Sequence, residues 1–260
     1  MSLILTRALH RQVIGRPSLQ SAMLGTYGTI KRPRLRAGAV YFLYYHSVPN
    51  SSSTRFFKQL SLMANVGRLI SWTEALASLG ADQLSPRPSF CLSFDDGDRT
   101  WGDVVLPILL RLRIPATFFV CASAVGPRAD SQGLTWSDCR RLLGHGMNIG
   151  SHSLTHPRLA HLSYASAQRE IEESKRLIEA KLEAEVMDFC APYGTPYSDF
   201  CVDRDVGLAR EAGYRSFACT LRGPMEYGDS PFFIRRYANR AEWSTRAVRG
   251  KLAMPAGRLM

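Results

Sequence analysis

The sequence predicts an α/β fold built on a parallel sheet or a closed barrel. Short β-prone runs alternate with segments of helical periodicity along most of the chain, a pattern typical of parallel βαβ units. Four of the predicted strands are followed directly by residues that can do chemistry, and in such folds the active site gathers where strands end. With 260 residues, 45% of them hydrophobic, the chain can bury one large core or two small ones.

The net charge of +11 is concentrated at the two ends of the chain. Residues 1–37 hold seven Lys or Arg and no acid, and residues 235–260 hold seven against Glu242, which leaves the middle at −2. Such ends suit an anionic membrane surface, and solvated basic tails are the alternative. We expect a basic leader over 1–37, flexible or membrane-bound, a domain over 38–240 and a basic tail over 241–260. The only feature that would support nucleic-acid binding is the charge of the two ends. That feature is not sufficient, so no nucleic-acid partner is expected.

Composition and the first residues also indicate the cellular compartment to expect. No run of eighteen apolar residues exists that could cross a membrane as a helix. The apolar start of the chain is interrupted at Arg7, so no secretory signal peptide is evident. The six cysteines form no C-x-x-C pair, which favours reduced thiols. We therefore expect a cytoplasmic protein, with membrane association through its basic ends.

Each element in the first third follows from a local pattern. Leu3–Ile14 alternates arginine with apolar residues and predicts a short amphipathic helix, with irregular structure after it. Ala39–Tyr45 is strongly β-prone and predicts the first core strand. Phe56–Val66 and Thr73–Leu79 have the spacing of helices, with a short strand at Ile70–Ser71 between them.

The middle of the chain continues the alternation. Phe90–Phe94 reads as a buried strand, because it is brief, apolar and followed by a glycine-containing turn. Trp101–Leu112 carries apolar residues on one helical face, and Ala116–Val120 predicts the next strand. Thr135–Leu143 predicts a helix that two glycines end.

The last third predicts one long helix and three further strands. Ser163 is the expected N-cap of a helix that runs to about Glu183. The remaining elements are a helix at Asp203–Ala212 and strands at Val186–Cys190, Tyr214–Thr220 and Phe232–Tyr237.

Two adjacent carboxylates, Asp95 and Asp96, stand where the strand Phe90–Phe94 stops. Side chains alternate along a strand, so both can serve one site only if the backbone turns, and Gly97 permits that turn. Burying two carboxylates side by side is costly unless a cation or a proton lies between them. The pair therefore indicates a site, with a cap for the helix predicted from Trp101 as the alternative.

His152 and His156 have a normal spacing for metal ligands on a turn or a helix start. Two surface or capping histidines are the alternative. Joined by Asp96, they would form a three-ligand divalent site with open positions, as catalytic metals have. Asp95 would then lie beside the metal as the base that takes a proton from a water.

Three ordered motifs resemble the polysaccharide deacetylases, carbohydrate esterase family 4, also called the NodB-homology domain. They are Ser93–Gly97, Ser151–His156 and Ala191–Gly194, and the resemblance spans about residues 38–240. Ile114–Val120 and Leu134–Trp136 resemble the subgroup that acts on poly-N-acetylglucosamine. The family implies a distorted (β/α) barrel of about seven parallel strands and metal-dependent removal of an N-acetyl group from a sugar.

The resemblance also implies roles for single residues. Asp95 would be the base, and three residues would hold one divalent ion: Asp96, His152 and His156. Zinc is the expected ion, with cobalt and nickel as alternatives. Tyr193 would contribute its backbone amide to catalysis, and Pro192, Tyr193 and His46 are expected near the substrate. That substrate is an N-acetylglucosamine-type glycan or a lipid-linked sugar.

Two positions depart from the family pattern. Cys190 stands where many members carry an arginine, so the metal alone would keep Asp95 ionised. The usual late histidine, the acid that protonates the leaving amine, has no match, because the last histidine is His161. Arg235 and Arg236 lie in roughly that region, yet an arginine cannot give up a proton.

The departures leave open which group supplies that proton: Asp95, a water, His46 or His161. They also leave two other functions open. One is a carbohydrate- or membrane-binding module with a degenerate site, and the other is a hydrolase of the same fold that cleaves another carbon–nitrogen bond.

Overall fold

The computed structural model describes residues 17–30, 35–81, 85–126 and 133–257. The helix predicted at Leu3–Ile14 lies outside these residues. In chain order the strands are β1 (Val40–Tyr45), β2 (Arg68–Ile70), β3 (Ser89–Asp96), β4 (Ala116–Val120), β5 (Asn148–Ser151), β6 (Asp188–Cys190), β7 (Ser216–Ala218) and β8 (Arg236–Ala238).

The α-helices lie between these strands and at the two ends of the described chain. They are α1 (Pro17–Ile30), α2 (Ser53–Val66), α3 (Trp72–Gly80), α4 (Leu106–Leu112), α5 (Trp136–Gly144), α6 (Tyr164–Leu182), α7 (Val202–Glu211) and α8 (Thr245–Ala253). Ser163 caps α6 as predicted, because its hydroxyl accepts a hydrogen bond from the Ser166 amide. None of the helices in the described ranges is long and apolar enough to cross a membrane.

Seven of the strands form a nearly closed parallel barrel, which confirms the predicted fold class. Their order is β7-β6-β5-β4-β3-β1-β8, and β2 pairs with the start of β3. The barrel stays open between β7 and β8, the two ends of this order. The segment before β8 narrows this gap, because the Cys219 amide donates to the Ile234 carbonyl and the Ile234 amide donates to the Phe217 carbonyl, both at 2.9 Å.

Alternation along the strands divides the core into two layers. On β1, Val40 and Phe42 belong to a small cluster inside the barrel, while Tyr41, Leu43 and Tyr45 pack against the surrounding helices. The barrel interior is therefore filled with side chains, and chemistry is confined to its rim.

The strand register brings the predicted site positions to one rim. Tyr45 pairs with Phe94, Asp95 with Phe119, and Val120 with Ser151, so β1, β3, β4 and β5 end near one level. His46 follows β1 and His152 follows β5 at that level.

Both terminal segments contain a helix that the sequence did not predict. Residues 17–30 form α1 where irregular structure is expected, and residues 245–253 of the basic tail form α8. In the sequence, Gly25 and Gly28 suggest an interrupted helix. In the structure, Gly28 lies against α8, and a Cβ there would lie 2.6 Å from the Gly250 nitrogen. The glycines thus serve a close helix crossing, which only the tertiary structure reveals. The division into leader, domain and tail stays a prediction.

The predicted helix Trp101–Leu112 is in two parts. Residues Trp101–Val105 form a wider π-helical turn, and α4 follows it. Pro107 lacks the amide that would bond back into this turn, which explains the local widening.

Candidate metal centre and catalytic site

Asp96, His152 and His156 meet at the rim of the barrel. Asp96 Oδ1 lies 3.3 Å from Nε2 of His152 and 3.3 Å from Nε2 of His156. The His152 side chain is buried, that of His156 is partly buried, and Asp96 is half exposed. Three predicted ligands thus present their ligand atoms to one point that solvent can reach.

The backbone around this point is held in an uncommon conformation. Asp96, Ser153, His156 and Tyr193 all have positive φ angles between 60° and 88°, although none is glycine. The turn at Asp96 resolves the alternation problem, because Asp95 points into the barrel while Asp96 turns toward the histidines. Clusters of such residues are typical of functional sites.

The donor set fits a divalent cation. His152 Nδ1 lies 2.8 Å from the Cys190 carbonyl oxygen, which can only accept, so the imidazole proton is on Nδ1. The lone pair of Nε2 then points toward the Asp96 carboxylate. Nε2 and Asp96 Oδ1 are thus two hydrogen-bond acceptors that face each other, as two ligands of one cation do. A tetrahedral zinc with bonds of about 2.1 Å needs ligand atoms about 3.4 Å apart. The observed 3.3 Å separations match this requirement.

A second group of potential ligands, Asp95, His152 and Cys190, does not fit a metal. Burial raises the pKa of the Cys190 thiol well above its usual value, so it is not a thiolate. Both Asp95 oxygens are bound by an arginine, and His152 Nδ1 is occupied by the Cys190 carbonyl.

Glu170 on α6 fixes the loop that carries His156. Its carboxylate accepts from the Leu154 amide at 3.0 Å, the Thr155 amide at 2.8 Å and the Thr155 hydroxyl at 2.6 Å. The His156 amide donates to Ser153 Oγ at 2.9 Å. These contacts hold the second histidine in place, and no sequence pattern pointed to Glu170.

Asp95 is buried inside the barrel and paired with Arg236. The guanidinium of Arg236 donates to Asp95 Oδ1 at 2.8 Å and to Oδ2 at 2.9 Å. Burial by itself would raise the pKa of the Asp95 carboxyl, but the pKa is lowered, and the charge of Arg236 is the largest of the causes that lower it. The expectation that a metal alone keeps Asp95 ionised is therefore wrong.

Arg236 fills the space that the small side chain of Cys190 leaves. It comes from β8, is fully buried, and its Nη2 lies 2.8 Å from Cys190 Sγ. Its Nε donates to the Cys219 carbonyl, Nη1 also reaches Ser93 Oγ, and the guanidinium lies 4.4 Å from the Tyr44 ring centre. The arginine missing beside the Pro-Tyr pair is thus replaced from another strand. Two adjacent arginines in a strand were the available signal, since one of them must face inward.

Tyr193 follows β6 and packs beside the metal ligands. Its ring centre lies 4.9 Å from that of His156 and 4.0 Å from the guanidinium carbon of Arg158, and about half of its side chain is exposed. Thr220 holds the turn, because its hydroxyl donates to the Tyr193 carbonyl and its amide to Gly194. In the described part of the chain no acceptor partners the Tyr193 amide.

The other predicted residues take different positions. Pro192 is buried, with its carbonyl accepting from the Gly194 amide. His46 is exposed, and its Nε2 lies 3.7 Å from Asp96 Oδ2, on the carboxylate oxygen opposite the other histidines. His161 is exposed in a short 3-10 turn. The helical turn that begins at Trp101 has no side-chain cap; Asp98 instead accepts from the Thr100 amide at 2.8 Å, in the turn just before it.

Sequence comparison finds relatives of one kind. The profile of the family described as Polysaccharide deacetylase matches residues 83–217. A chitooligosaccharide deacetylase of Sinorhizobium fredii is 35% identical over 125 residues, which are 47% of this chain and 55% of that protein. The Bacillus subtilis protein YxkH is 25% identical over 200 residues, 75% of this chain and 69% of that protein. The match to the Sinorhizobium relative thus spans little more than half of its length.

Structure comparison agrees on the fold. The Streptococcus pyogenes deacetylase PplD, solved in complex with acetate, gives a TM-score of 0.72 at 20% identity, over 84% of this chain and 99% of that one. IcaB from Ammonifex degensii gives 0.71 at 21% identity, over 85% and 99%.

Proposed function

The chain belongs to the polysaccharide deacetylase family, whose members hydrolyse carbon–nitrogen bonds other than peptide bonds, and we propose that it removes N-acetyl groups from an N-acetylglucosamine-type saccharide. One observation carries this proposal. A buried carboxylate, Asp95, lies next to three potential metal ligands that converge on a solvent-accessible point. The name of the Sinorhizobium relative supports an oligomer of N-acetylglucosamine as the substrate, with a lipid-linked sugar as the alternative.

Asp96, His152 and His156 would hold one divalent ion, for which zinc is the first candidate and cobalt or nickel the alternatives. When bound, such an ion acidifies a water and polarises the amide carbonyl. The Nδ1 hydrogen bond to Cys190 keeps His152 in the tautomer that a ligand needs.

Asp95 would act as the general base. Arg236 binds one lone pair of each carboxylate oxygen, and Oδ2 also faces the Cys190 thiol at 3.9 Å, so Oδ1 keeps a lone pair with which to take a proton from the attacking water. The guanidinium also fixes the orientation of the carboxylate, since it is itself held by Ser93 and Cys219.

The Tyr193 amide would donate a hydrogen bond to the oxyanion that forms on the amide carbonyl. Its positive φ and the Thr220 contacts support this role, because they fix the direction of an amide that has no acceptor in the described residues. The exposed Tyr193 ring and the rim formed by His46 would border the sugar.

His46 would protonate the leaving nitrogen in place of the late histidine. It is 3.7 Å from Asp96, whereas His161 lies in an exposed turn that follows the metal loop. An imidazole can give up a proton near neutral pH, which Arg235 and Arg236 cannot.

The test measures acetate released from N-acetylglucosamine oligomers by the purified protein, chelated and then supplied with zinc or cobalt. We expect metal-dependent release that Asp95→Asn abolishes and that Asp98→Asn, a change to a nearby carboxylate that accepts from the Thr100 amide, largely preserves. Metal binding without release would instead favour a binding module or a hydrolase of another amide. Absence of metal binding would contradict the proposed site.

Contact with an anionic membrane stays a prediction. Exposed arginines on and near α8, Arg240, Arg246 and Arg249, support it, together with the exposed apolar side chains of Met23 and Ile30 on α1. Binding to vesicles with and without anionic lipid would test it.

A further inference from the structure

The solvent-exposed face of α1 is apolar, which is the reverse of an ordinary surface helix. The helix Pro17–Ile30 contains no charged residue. Four of its large apolar side chains point to solvent and are between 36% and 73% exposed: Leu19, Met23, Tyr27 and Ile30. At about 100° per residue these four side chains fall within an arc of about 80°, so they form one continuous apolar stripe. A helix on the surface of a protein normally turns such a stripe toward the core.

The opposite face of α1 is already packed against α8. This packing uses glycine, because a Cβ on Gly28 would lie 2.6 Å from the Gly250 nitrogen. The small residues of α1 thus face the protein, and its large apolar residues face outward. A rotation of α1 that buried the apolar stripe would place larger side chains at this close crossing, where they do not fit. The exposure of the stripe therefore follows from how the two helices pack.

Threonine side chains on the exposed face of α1 are satisfied within the helix. Thr26 Oγ1 donates to the Ala22 carbonyl at 3.1 Å, and Thr29 Oγ1 donates to the Gly25 carbonyl at 2.9 Å. A hydroxyl that bonds back to its own helix keeps a partner when the surrounding water is removed. These hydrogen bonds lower the cost of moving the exposed face out of water.

Cationic side chains lie along one edge of this face. Arg246 and Arg249 of α8 are exposed, and neither α1 nor α8 contains an acidic residue. Both arginines lie beside α1: a Cβ on Gly25 would lie 3.8 Å from the Arg246 Cβ, and both arginines line one cavity with Thr29. An apolar stripe with arginines at its edge is complementary to acyl chains beneath anionic lipid headgroups.

A second copy of the chain fits this face less well than a membrane does. A helix of 14 residues is about 21 Å long, so one stripe along it offers much less than the ~800 Å² per partner of a stable protein interface. Symmetric pairing of two α1 helices would also bring the arginines of both α8 helices close together, and like charges repel. Size and charge thus both favour a lipid surface.

The exposed face of α1 lies close to the candidate metal centre. Met23 lines a cavity of about 570 Å³ that His46 also lines, and His46 Nε2 lies 3.7 Å from Asp96 Oδ2. A membrane in contact with α1 would therefore lie near the rim of the barrel that carries the proposed metal ligands.

We propose that α1 docks the protein on an anionic membrane, with the apolar stripe in the interfacial region of the bilayer and Arg246 and Arg249 on lipid headgroups. The contact is made by this helix face and not by the basic ends of the chain in general. It also favours one substrate, and this part rests on the proposed function: the saccharide is linked to a membrane lipid.

The first test measures binding of the full chain to vesicles of phosphatidylcholine, with and without phosphatidylglycerol. We expect binding to the anionic vesicles that falls more than about 10-fold in Leu19→Ser/Ile30→Ser, because two inserted apolar side chains are lost. Arg246→Gln/Arg249→Gln should weaken binding by about 5-fold per arginine.

Variants on other helices provide matched controls. Leu110→Ser/Tyr164→Ser removes two exposed apolar side chains from α4 and α6, and Arg169→Gln/Arg176→Gln makes the same change of charge on α6. Both controls should bind the anionic vesicles as the wild type does. Circular dichroism and thermal unfolding of each variant would show that it folds.

Quenching by lipids with brominated acyl chains reports insertion directly. The tryptophan of Ile30→Trp should be quenched in anionic vesicles, whereas that of Leu110→Trp should not. The native tryptophans give the same background in both variants. Equal quenching in the two variants would contradict insertion through α1.

Acetate release separates this inference from the proposed function. We expect Leu19→Ser/Ile30→Ser to keep the wild-type rate on soluble N-acetylglucosamine oligomers and to lose most of the rate on an N-acetylglucosaminyl lipid in anionic vesicles. Vesicle binding that depends on the stripe, without acetate release from either substrate by the wild type, would support the docking and contradict the deacetylase function.

Other outcomes would overturn the docking and leave the function standing. These are release of acetate from soluble oligomers together with no vesicle binding, with equal binding to neutral and anionic vesicles, or with binding that Leu19→Ser/Ile30→Ser does not change. A dimer that sedimentation detects without lipid, and that the same variant dissociates, would assign the stripe to a second copy of the chain instead.

Discussion

At the scale of single residues, the pair between Asp95 and Arg236 decides how the site works. Removing a carboxylate from water is costly, and the bidentate guanidinium offsets that cost with two short charge-assisted hydrogen bonds. Arg236 in turn has its remaining donors bound by Ser93 and Cys219. A carboxylate that is fully buried can therefore stay ionised without relying on a metal.

Arg236→Met should destabilise the protein strongly, because it leaves Asp95 as an unpaired buried charge. We expect the free energy of unfolding to fall by about 3–5 kcal/mol in chemical denaturation. Adding Asp95→Asn to Arg236→Met should restore much of that loss, so the double-mutant cycle should show strong coupling.

The neighbouring Arg235 provides the control for this cycle. It pairs with Asp229, and both side chains are about one-third exposed, so Arg235→Met should cost only about 0–1 kcal/mol. Equal losses in Arg235→Met and Arg236→Met would contradict the special position of the buried pair.

Lys251 on α8 is held in an unfavourable protonation state near neutral pH. Burial, with a smaller contribution from Arg222, lowers the pKa of its ammonium group from 10.5 to about 8. The unfolded chain therefore binds more protons than the folded one between about pH 8 and 10.5, so stability should rise with pH in this window.

Lys251→Met removes this penalty. At pH 7 we expect its free energy of unfolding to exceed that of the wild type by about 1–3 kcal/mol, with the difference shrinking as the pH approaches 10. Denaturation at pH 7 and pH 10 would measure it, with Lys58→Met at an exposed position as the control. A difference between variant and wild type that does not change with pH would refute the effect.

At the scale of elements, the crossing of α1 and α8 depends on glycine. A Cβ on Gly250 would lie 1.9 Å from the Leu24 carbonyl oxygen, and one on Gly28 would meet the backbone of α8 at 2.6 Å. The two helices therefore pack backbone to backbone, a distance that side chains larger than hydrogen do not permit.

Gly250→Ala should push α1 away from the barrel. We expect a loss of about 1–3 kcal/mol from overpacking, with faster amide hydrogen exchange in residues 17–30 and little change in the barrel strands. Gly207→Ala on α7 is the matched control, because open space surrounds that position and alanine favours a helix. Unchanged exchange in α1 would show that this crossing does not hold the helix.

At the scale of the whole molecule, parallel strands bring distant residues to one rim. Asp96 ends β3, His152 follows β5 and Tyr193 follows β6, yet the three residues converge within the same site. A bound metal would therefore connect segments that are far apart in sequence, and its binding energy would stabilise the whole barrel.

Zinc should accordingly raise the thermal stability of the protein. A hundredfold excess over Kd contributes about 2.7 kcal/mol, which corresponds to an increase in Tm of about 5–10 °C for a domain of this size. His152→Ala should abolish the increase, while His161→Ala, at an exposed histidine outside the ligand group, should retain it. An equal increase in both variants, measured by calorimetry after chelation, would place the metal elsewhere.

The sequence by itself determined the elements and the chemistry of the strand ends. Hydrophobic periodicity and β-prone runs predicted every strand except β5, and most helices, because burial on one face leaves a period in the chain. The Asp-Asp, His-x-x-x-His and Pro-Tyr motifs located the rim, since such residues are poor core formers and good ligands or donors.

Only the tertiary structure decided which residues complete the site. Arg236 reaches Asp95 from 141 positions away in the chain, and α1 reaches α8 from the opposite end of the chain. Two adjacent arginines in a strand indicate that one of them faces inward, but not which residue it meets, and a pair of packed glycines looks in sequence like a helix break. Their roles depend on what lies across the barrel, and that is set by the closure of the sheet.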